Sequence, residues 1–132
     1  ESLLRAQHAG QRVLLVDDEP INLEVSYYFL ESVGLIADTA ENGQEAVERA
    51  KKNNYAMILM DMQMPVLDGL EATRQIRRLP GCAQTPIIAM TANAFTEDKL
   101  RCIEAGMDDR IIKPFDPDQF FTVILKWLEE RR

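Results

Sequence analysis

One histidine, His8, and two cysteines, Cys82 and Cys102, are all the imidazole and thiol that the 132 residues offer as metal ligands. The cysteines lack the short paired spacing of zinc sites. They read instead as reduced thiols of a cytosolic protein, not as a disulfide framework. No apolar run approaches the ~20 residues needed to cross a bilayer, and no charged-then-apolar leader opens the chain. Membrane contact by this domain is therefore not expected. Internal repeats and low-complexity segments are also lacking. Positive charge is in deficit, 15 Lys and Arg against 22 Asp and Glu for a net −7. Such a surface repels a phosphate backbone, which argues against direct nucleic-acid binding.

What remains is the composition of a soluble globular domain, 46% hydrophobic and 28% charged. Four short runs are continuously apolar: Val13 to Val16, Ala56 to Met60, Ile87 to Met90, and Ile111–Ile112. Unbroken apolarity is what a strand buried on both faces requires, and it predicts a parallel sheet. Leu35 to Ala37 is weaker and predicts an edge strand. Between the strands, Ile21, Val25, Phe29 and Val33 recur every four residues, and Gly34 follows where a helix would close. Further helices are expected over Gln44 to Lys52, around Leu70 to Arg77, over Lys99 to Ala105 before Gly106, and around Phe120 to Leu128. Strict alternation of strand and helix predicts one doubly wound α/β domain. Residues 1–11 fit neither pattern and read as a tail or linker remnant, leaving 12–132 as the domain.

Polar residues follow the strands. Asp17 and Asp18 follow the first, Asp61 the third, Thr91 the fourth and Lys113 the fifth. The carboxyl ends of parallel strands border one crevice, so these residues converge. Taken singly, each has a plainer reading. Asp17, Asp18 or Glu19 would cap the helix that Pro20 begins, Asp61 would be a turn acid, Thr91 a cap and Lys113 a solvated charge. Taken together, they are a set of complementary types. Converging carboxylates repel unless a cation offsets them, and Mg²⁺ suits hard oxygen ligands. A carboxylate beside that ion can act as a nucleophile towards phosphorus. An ammonium and a hydroxyl can stabilise charge on the transferred group.

At this point VLLVDDEP, MILMDMQMPVLDG, IIAMTANA and IIKPF, in that order, resemble the receiver domain of two-component response regulators over about residues 12–130. The resemblance implies a flavodoxin-like (βα)5 fold with strand order 2-1-3-4-5. It implies that Asp61 accepts a phosphoryl group with the help of Mg²⁺. Asp17, Asp18, Asp61 and the backbone carbonyl of Gln63 would hold that ion, while Thr91 and Lys113 would bind phosphoryl oxygens. Lys113–Pro114 would be cis. Pro65 and Asp68–Gly69 would shape the loop after the acceptor, with glycine giving backbone freedom. Small Ala92 would leave access to the phosphorus, and Gln63 and Asn93 would tune the phosphoryl lifetime. The partner would be a histidine kinase or a histidine phosphotransfer domain. The protein would be a signalling module, not an enzyme, in the cytoplasm, with a parent protein that membrane anchoring would not contradict.

One departure stands out. The family usually has an aromatic residue two or three positions before the lysine, and this chain has Arg110. A guanidinium cannot serve as an inward apolar plug. The expectation is a surface residue beside Asp108 and Asp109, and the alternative is an electrostatic or weakly coupled switch. The last helix is rich in apolar residues, Phe120, Phe121, Val123, Ile124, Leu125, Trp127 and Leu128. Either flanking elements cover them or the last helices form a self-association patch. The start at Glu1 and the style of the motifs resemble a receiver excised from a hybrid sensor histidine kinase. A stand-alone regulator, a Mg²⁺-dependent phosphohydrolase and a phosphorylation-independent binding module are the other readings.

Overall fold

In a computed structural model, residues 8–62, 69–91, 96–112 and 116–130 are described. Strands and helices alternate: β1 Arg12–Val16, α1 Pro20–Ser32, β2 Ile36–Ala40, α2 Gly43–Lys52, β3 Met57–Asp61, α3 Gly69–Arg77, β4 Ile87–Thr91, α4 Thr96–Ala105, β5 Asp109–Ile112 and α5 Pro117–Glu130. The five strands form one parallel sheet in the order β2-β1-β3-β4-β5, with β2 at an edge as expected. It runs to Ala40, beyond the Leu35 to Ala37 that local pattern suggests, because Asp38 and Thr39 on an edge strand stay partly exposed. Among the described residues no helix is long and apolar enough to cross a membrane.

The unbroken apolar runs have a direct explanation. Successive strand residues point to opposite faces, and here both faces are covered. Leu14, Val16, Ile58, Met60, Ile87 and Ala89 join the core beneath α2 and α3. Their neighbours Val13, Leu15, Met57, Leu59, Ile88 and Met90 join the core beneath α1 and α5. Each fully buried Leu, Ile or Met contributes about 1.5–3 kcal/mol. On the second face Phe29 of α1 meets Phe120 edge-on at 5.3 Å and Phe121 at 5.8 Å.

Helix ends follow their local sequences. Asn42 Oδ1 accepts the Glu45 N–H at 2.9 Å and caps α2. Gly34, at φ +83°, closes α1, its N–H donating to the Glu31 carbonyl. The four-residue repeat of α1 lies on its core face only in its second half. Each step of four advances about 400°, so the stripe drifts about 40° per step. Ile21 and Val25 consequently face solvent, whereas Phe29 packs on the core and Val33 is buried. Leu23, Ser26 and Leu30 complete the inward side. In α5, Phe120, Phe121, Ile124 and Leu128 are buried, and Val123, Leu125 and Trp127 pack partly against them. Flanking elements thus cover the apolar residues of the last helix. Before β1, Gly10 N–H donates to the Gly34 carbonyl at 2.8 Å, so the expected tail already touches the domain there.

Near the amino ends of β1 and β2, the buried Tyr55 hydroxyl donates to Asp38 Oδ2 at 2.7 Å, and Arg12 pairs with the same oxygen at 2.7 Å. Burial, and then the hydrogen bond to the Asp38 carboxylate, push the Tyr55 phenol up to about 12 from 10.0. The unfolded chain gives up this proton first. Stability from Tyr55 is therefore intact below pH ~10 and lost as pH rises towards ~12. Tyr55→Phe is expected to cost about 1–2 kcal/mol at neutral pH and to flatten the loss of stability between those values. Urea unfolding across that range measures both effects.

Candidate functional site

Parallel strands deliver their carboxyl ends to one edge, and β1, β3 and β4 are neighbours there. Val16 is in register with Met60, and Asp61 with Met90. Asp17, which follows β1, therefore stands beside Asp61, which ends β3, and Thr91 ends β4 alongside. Asp17, Asp61 and Thr91 are all buried, whereas Asp18 is exposed. The carboxylates of Asp17, Asp18 and Asp61 offer oxygens that all lie within 4.8 Å of one another.

Helix capping does not account for this cluster. The cap position of α1 is Glu19, which makes no side-chain cap hydrogen bond. Asp17 Oδ1 does accept the Glu19 N–H at 3.0 Å, which orients one carboxylate and leaves the convergence unexplained. Two ionised carboxylates at such a separation repel by about 3–4 kcal/mol at an effective dielectric near 20. A hard divalent cation removes that repulsion, and two buried acids plus an exposed one form an open set of oxygen donors. The residues present fit Mg²⁺.

Gly69 shapes the same edge for a reason the sequence did not disclose. Its φ is not in the left-handed region, so backbone freedom is not its role. A Cβ there would strike the Asp61 carbonyl oxygen and lie 2.9 Å from Met62 Cα. Its N–H donates to the Met62 carbonyl at 3.1 Å. The start of α3 is thus packed directly on the backbone of the buried acid. Gln63, Pro65, Asp68, Ala92, Asn93, Lys113 and the Lys113–Pro114 bond lie outside the described residues.

Arg110 departs from its expected place on the open surface. It is half-buried, and its Nη1 is enclosed with no hydrogen-bond acceptor among the described residues. Its register partner Ala89 belongs to the core beneath α2 and α3, so Arg110 points to that face of the sheet. The adjacent acids are engaged elsewhere. Asp108 Oδ2 pairs with Arg77 at 2.8 Å. Asp109 Oδ2 accepts Trp127 Nε1 at 2.8 Å, and its Oδ1 accepts the Arg110 backbone N–H. The sequence suggests a surface residue beside these two acids, and tertiary partners took both of them.

Residues 13–125 match the family model described as response regulator receiver domain. The signal transduction histidine-protein kinase BarA of Escherichia coli K12 is 39% identical over 115 residues, covering 87% of this chain and 12% of that protein. Two-component system protein A of Emericella nidulans is 45% identical over 129 residues, covering 96% of this chain and 19% of that protein. The chain thus spans less than a fifth of the length of these relatives. Among solved structures, the receiver domain of the sensor histidine kinase PA1611 of Pseudomonas aeruginosa PAO1 superimposes with a TM-score of 0.87 at 41% identity. It covers 92% of this chain and all of that one, and holds a magnesium ion in its active-site cleft.

Gly69→Ala is expected to destabilise the domain by about 1–3 kcal/mol through overpacking. Urea denaturation measures that loss. Gly81→Ala, where no atom lies within 4 Å but φ is +82°, serves as the purely conformational comparison.

Proposed function

The chain belongs to the response regulator receiver domain family, and from that premise we propose that it is the phosphoacceptor of a phosphorelay, with Asp61 as the acceptor. The convergence of Asp17, Asp18 and Asp61 at the carboxyl edge of the sheet carries this reading. An Asp61 carboxylate oxygen forms the P–O bond as the P–N bond of a phosphohistidine breaks, and the imidazole leaves with the bonding pair. Asp17, Asp18, Asp61 and the Gln63 carbonyl would hold Mg²⁺, which when bound supplies positive charge against the acids and the phosphoryl oxygens. The Thr91 hydroxyl donates to one phosphoryl oxygen and the Lys113 ammonium pairs with another. Burial of Asp61 and Thr91 keeps bulk water from competing with these contacts.

The module itself turns over no substrate. An aspartyl-nucleophile phosphohydrolase would need a second acid two residues after the nucleophile, and Gln63 stands there. The parent protein on this reading is a hybrid histidine kinase, as the similarity to BarA supports, and the domain works in the cytoplasm.

The donor must reach Asp61 across the rim that α1 begins. Ile21, Val25 and Tyr28 are exposed at helical spacing, starting three residues after Asp18. This stripe suits the apolar side of a helix that carries the phosphohistidine. Among the described residues, Leu100 and Ile103 of α4 are the exposed apolar side chains that self-association through the last helices would use, because those of α5 are buried or partly packed.

Incubation with acetyl phosphate and Mg²⁺ is expected to give a labile phosphoryl adduct by intact mass spectrometry. Asp61→Asn or chelation of divalent metal should abolish it, and an adduct at wild-type level in the variant would refute the assignment. Ile21→Glu combined with Tyr28→Glu is expected to slow transfer from a phosphohistidine protein donor about tenfold, equivalent to ~1.4 kcal/mol. Uptake from acetyl phosphate should stay within about twofold, because these side chains contact the donor and not the reacting atoms.

A further inference from the structure

β5 holds Arg110 half-buried, with Nη1 enclosed and no acceptor for it among the described residues. The acids that precede it in sequence are engaged. Asp108 Oδ2 accepts Arg77 Nη2 and the Ile87 N–H, at 2.8 and 2.9 Å. Asp109 is in register with Ile88, so it lies on the α5 face of the sheet, where its Oδ2 accepts Trp127 Nε1. A donor removed from water and left unpaired costs stability. A guanidinium cannot avoid that cost by shedding its proton, because it remains charged throughout the pH range of folded proteins.

The strand register fixes what shares the face of Arg110. Arg110 is in register with Ala89, and Ile112 with Thr91. Side chains two apart on a strand point to the same side, so Arg110, Ala89 and Thr91 lie together on the face covered by α2 and α3. Thr91 is thus the diagonal neighbour of Arg110, with a backbone separation of about 8 Å from one strand spacing and two residues of rise. A long side chain spans such a diagonal. Ala89, level with Arg110 and two residues before the buried Thr91, carries only a methyl group and does not fill the space between them. Charge at the acidic edge changes when Asp61 takes a phosphoryl group. On the reading above a divalent ion and Lys113 offset the three acids, and the acyl phosphate then adds about one further negative charge. Asp61 lies two strands from Arg110, about 10 Å across the sheet.

We infer that Arg110 is a positioning residue for the phosphoryl group and acts through Thr91. The Thr91 hydroxyl donates its proton to a phosphoryl oxygen, and Arg110 Nη1 donates to a lone pair of that hydroxyl. A charged donor behind a hydroxyl makes the hydroxyl a stronger donor in turn. The guanidinium also balances the added charge from an enclosed position that salt screens poorly. Its Nη1, idle in the resting protein, is satisfied only when the phosphoryl group is present. The inference rests on the phosphoacceptor reading above. The plainer alternative is an arginine whose stem fills space and whose charge has no part in the site.

Beryllium fluoride with Mg²⁺ mimics a phosphoryl group on a carboxylate, and fluorine NMR reads its affinity for the whole chain. Arg110→Met, which keeps an apolar stem without the charge, is expected to weaken binding about tenfold. Arg110→Lys, which keeps a charged donor, should stay within about threefold of wild type. In a Thr91→Ala background the loss from Arg110→Met should shrink to about twofold or less, because the group it acts through is gone. Urea unfolding of Arg110→Met without the mimic should show a midpoint no lower than wild type, since an unpaired donor has been removed. Four results overturn the inference: Arg110→Met binding as tightly as wild type, Arg110→Lys binding as weakly as Arg110→Met, the full loss persisting without Thr91, or a lowered midpoint. In the wild type, nitrogen NMR of the Arg110 guanidinium should show slower proton exchange when the mimic binds. Unchanged exchange there overturns the inference whether or not the variants fold. A wild type that binds no mimic and gains no adduct from acetyl phosphate removes the phosphoacceptor reading itself.

Discussion

A parallel sheet cannot leave a face in water without exposing apolar side chains, and this requirement organises the whole molecule. Each central strand carries four consecutive apolar residues, Val13–Val16, Met57–Met60 and Ile87–Met90, so helices must cover both faces, and each connection must return the chain to the same end of the sheet. Parallel direction then places every strand's carboxyl end at one edge and every amino end at the other. The acids after β1 and β3 and the hydroxyl ending β4 meet because their strands are neighbours, although they are far apart in sequence.

The two edges use charge in opposite ways. At the amino-terminal edge the acids have partners. Asp38 holds Arg12 and Tyr55, Asp108 holds Arg77 and the Ile87 N–H, and Asp109 holds Trp127. Such hydrogen-bonded charges stiffen the structure that bears them. At the carboxyl-terminal edge the acids face one another, an arrangement that suits a divalent cation. Arg77 at the amino-terminal edge ties the end of α3 to the turn after α4 and, through Asp108, to the start of β4.

Much of this was legible in the residues. Strand runs, glycine caps at Gly34 and Gly106, and the grouping of Asp17, Asp18 and Asp61 all follow from local pattern and the geometry of parallel sheets. The errors have equally definite causes. The repeat of four in α1 marked a helix but not its buried side, because the helical period of 3.6 turned Ile21 and Val25 outward while Phe29 and Val33 pack inward. Gly69 looked conformational and proved steric. Arg110 looked like a surface residue beside two acids, but it is half-buried and those acids pair with Arg77 and Trp127, each from a distant element.

By itself, the sequence determined the class of fold, the order of its elements and the residue types that follow the strands at their carboxyl edge. These depend on periodicity and on the residues just past each strand, both local properties of the chain. Only the tertiary structure decided which donors and acceptors pair, why alanine would not fit at position 69, and which apolar residues of α1 and α5 meet solvent. Those outcomes depend on competition between groups far apart in sequence. A side chain has one set of hydrogen-bonding sites, and packing decides which neighbour reaches it.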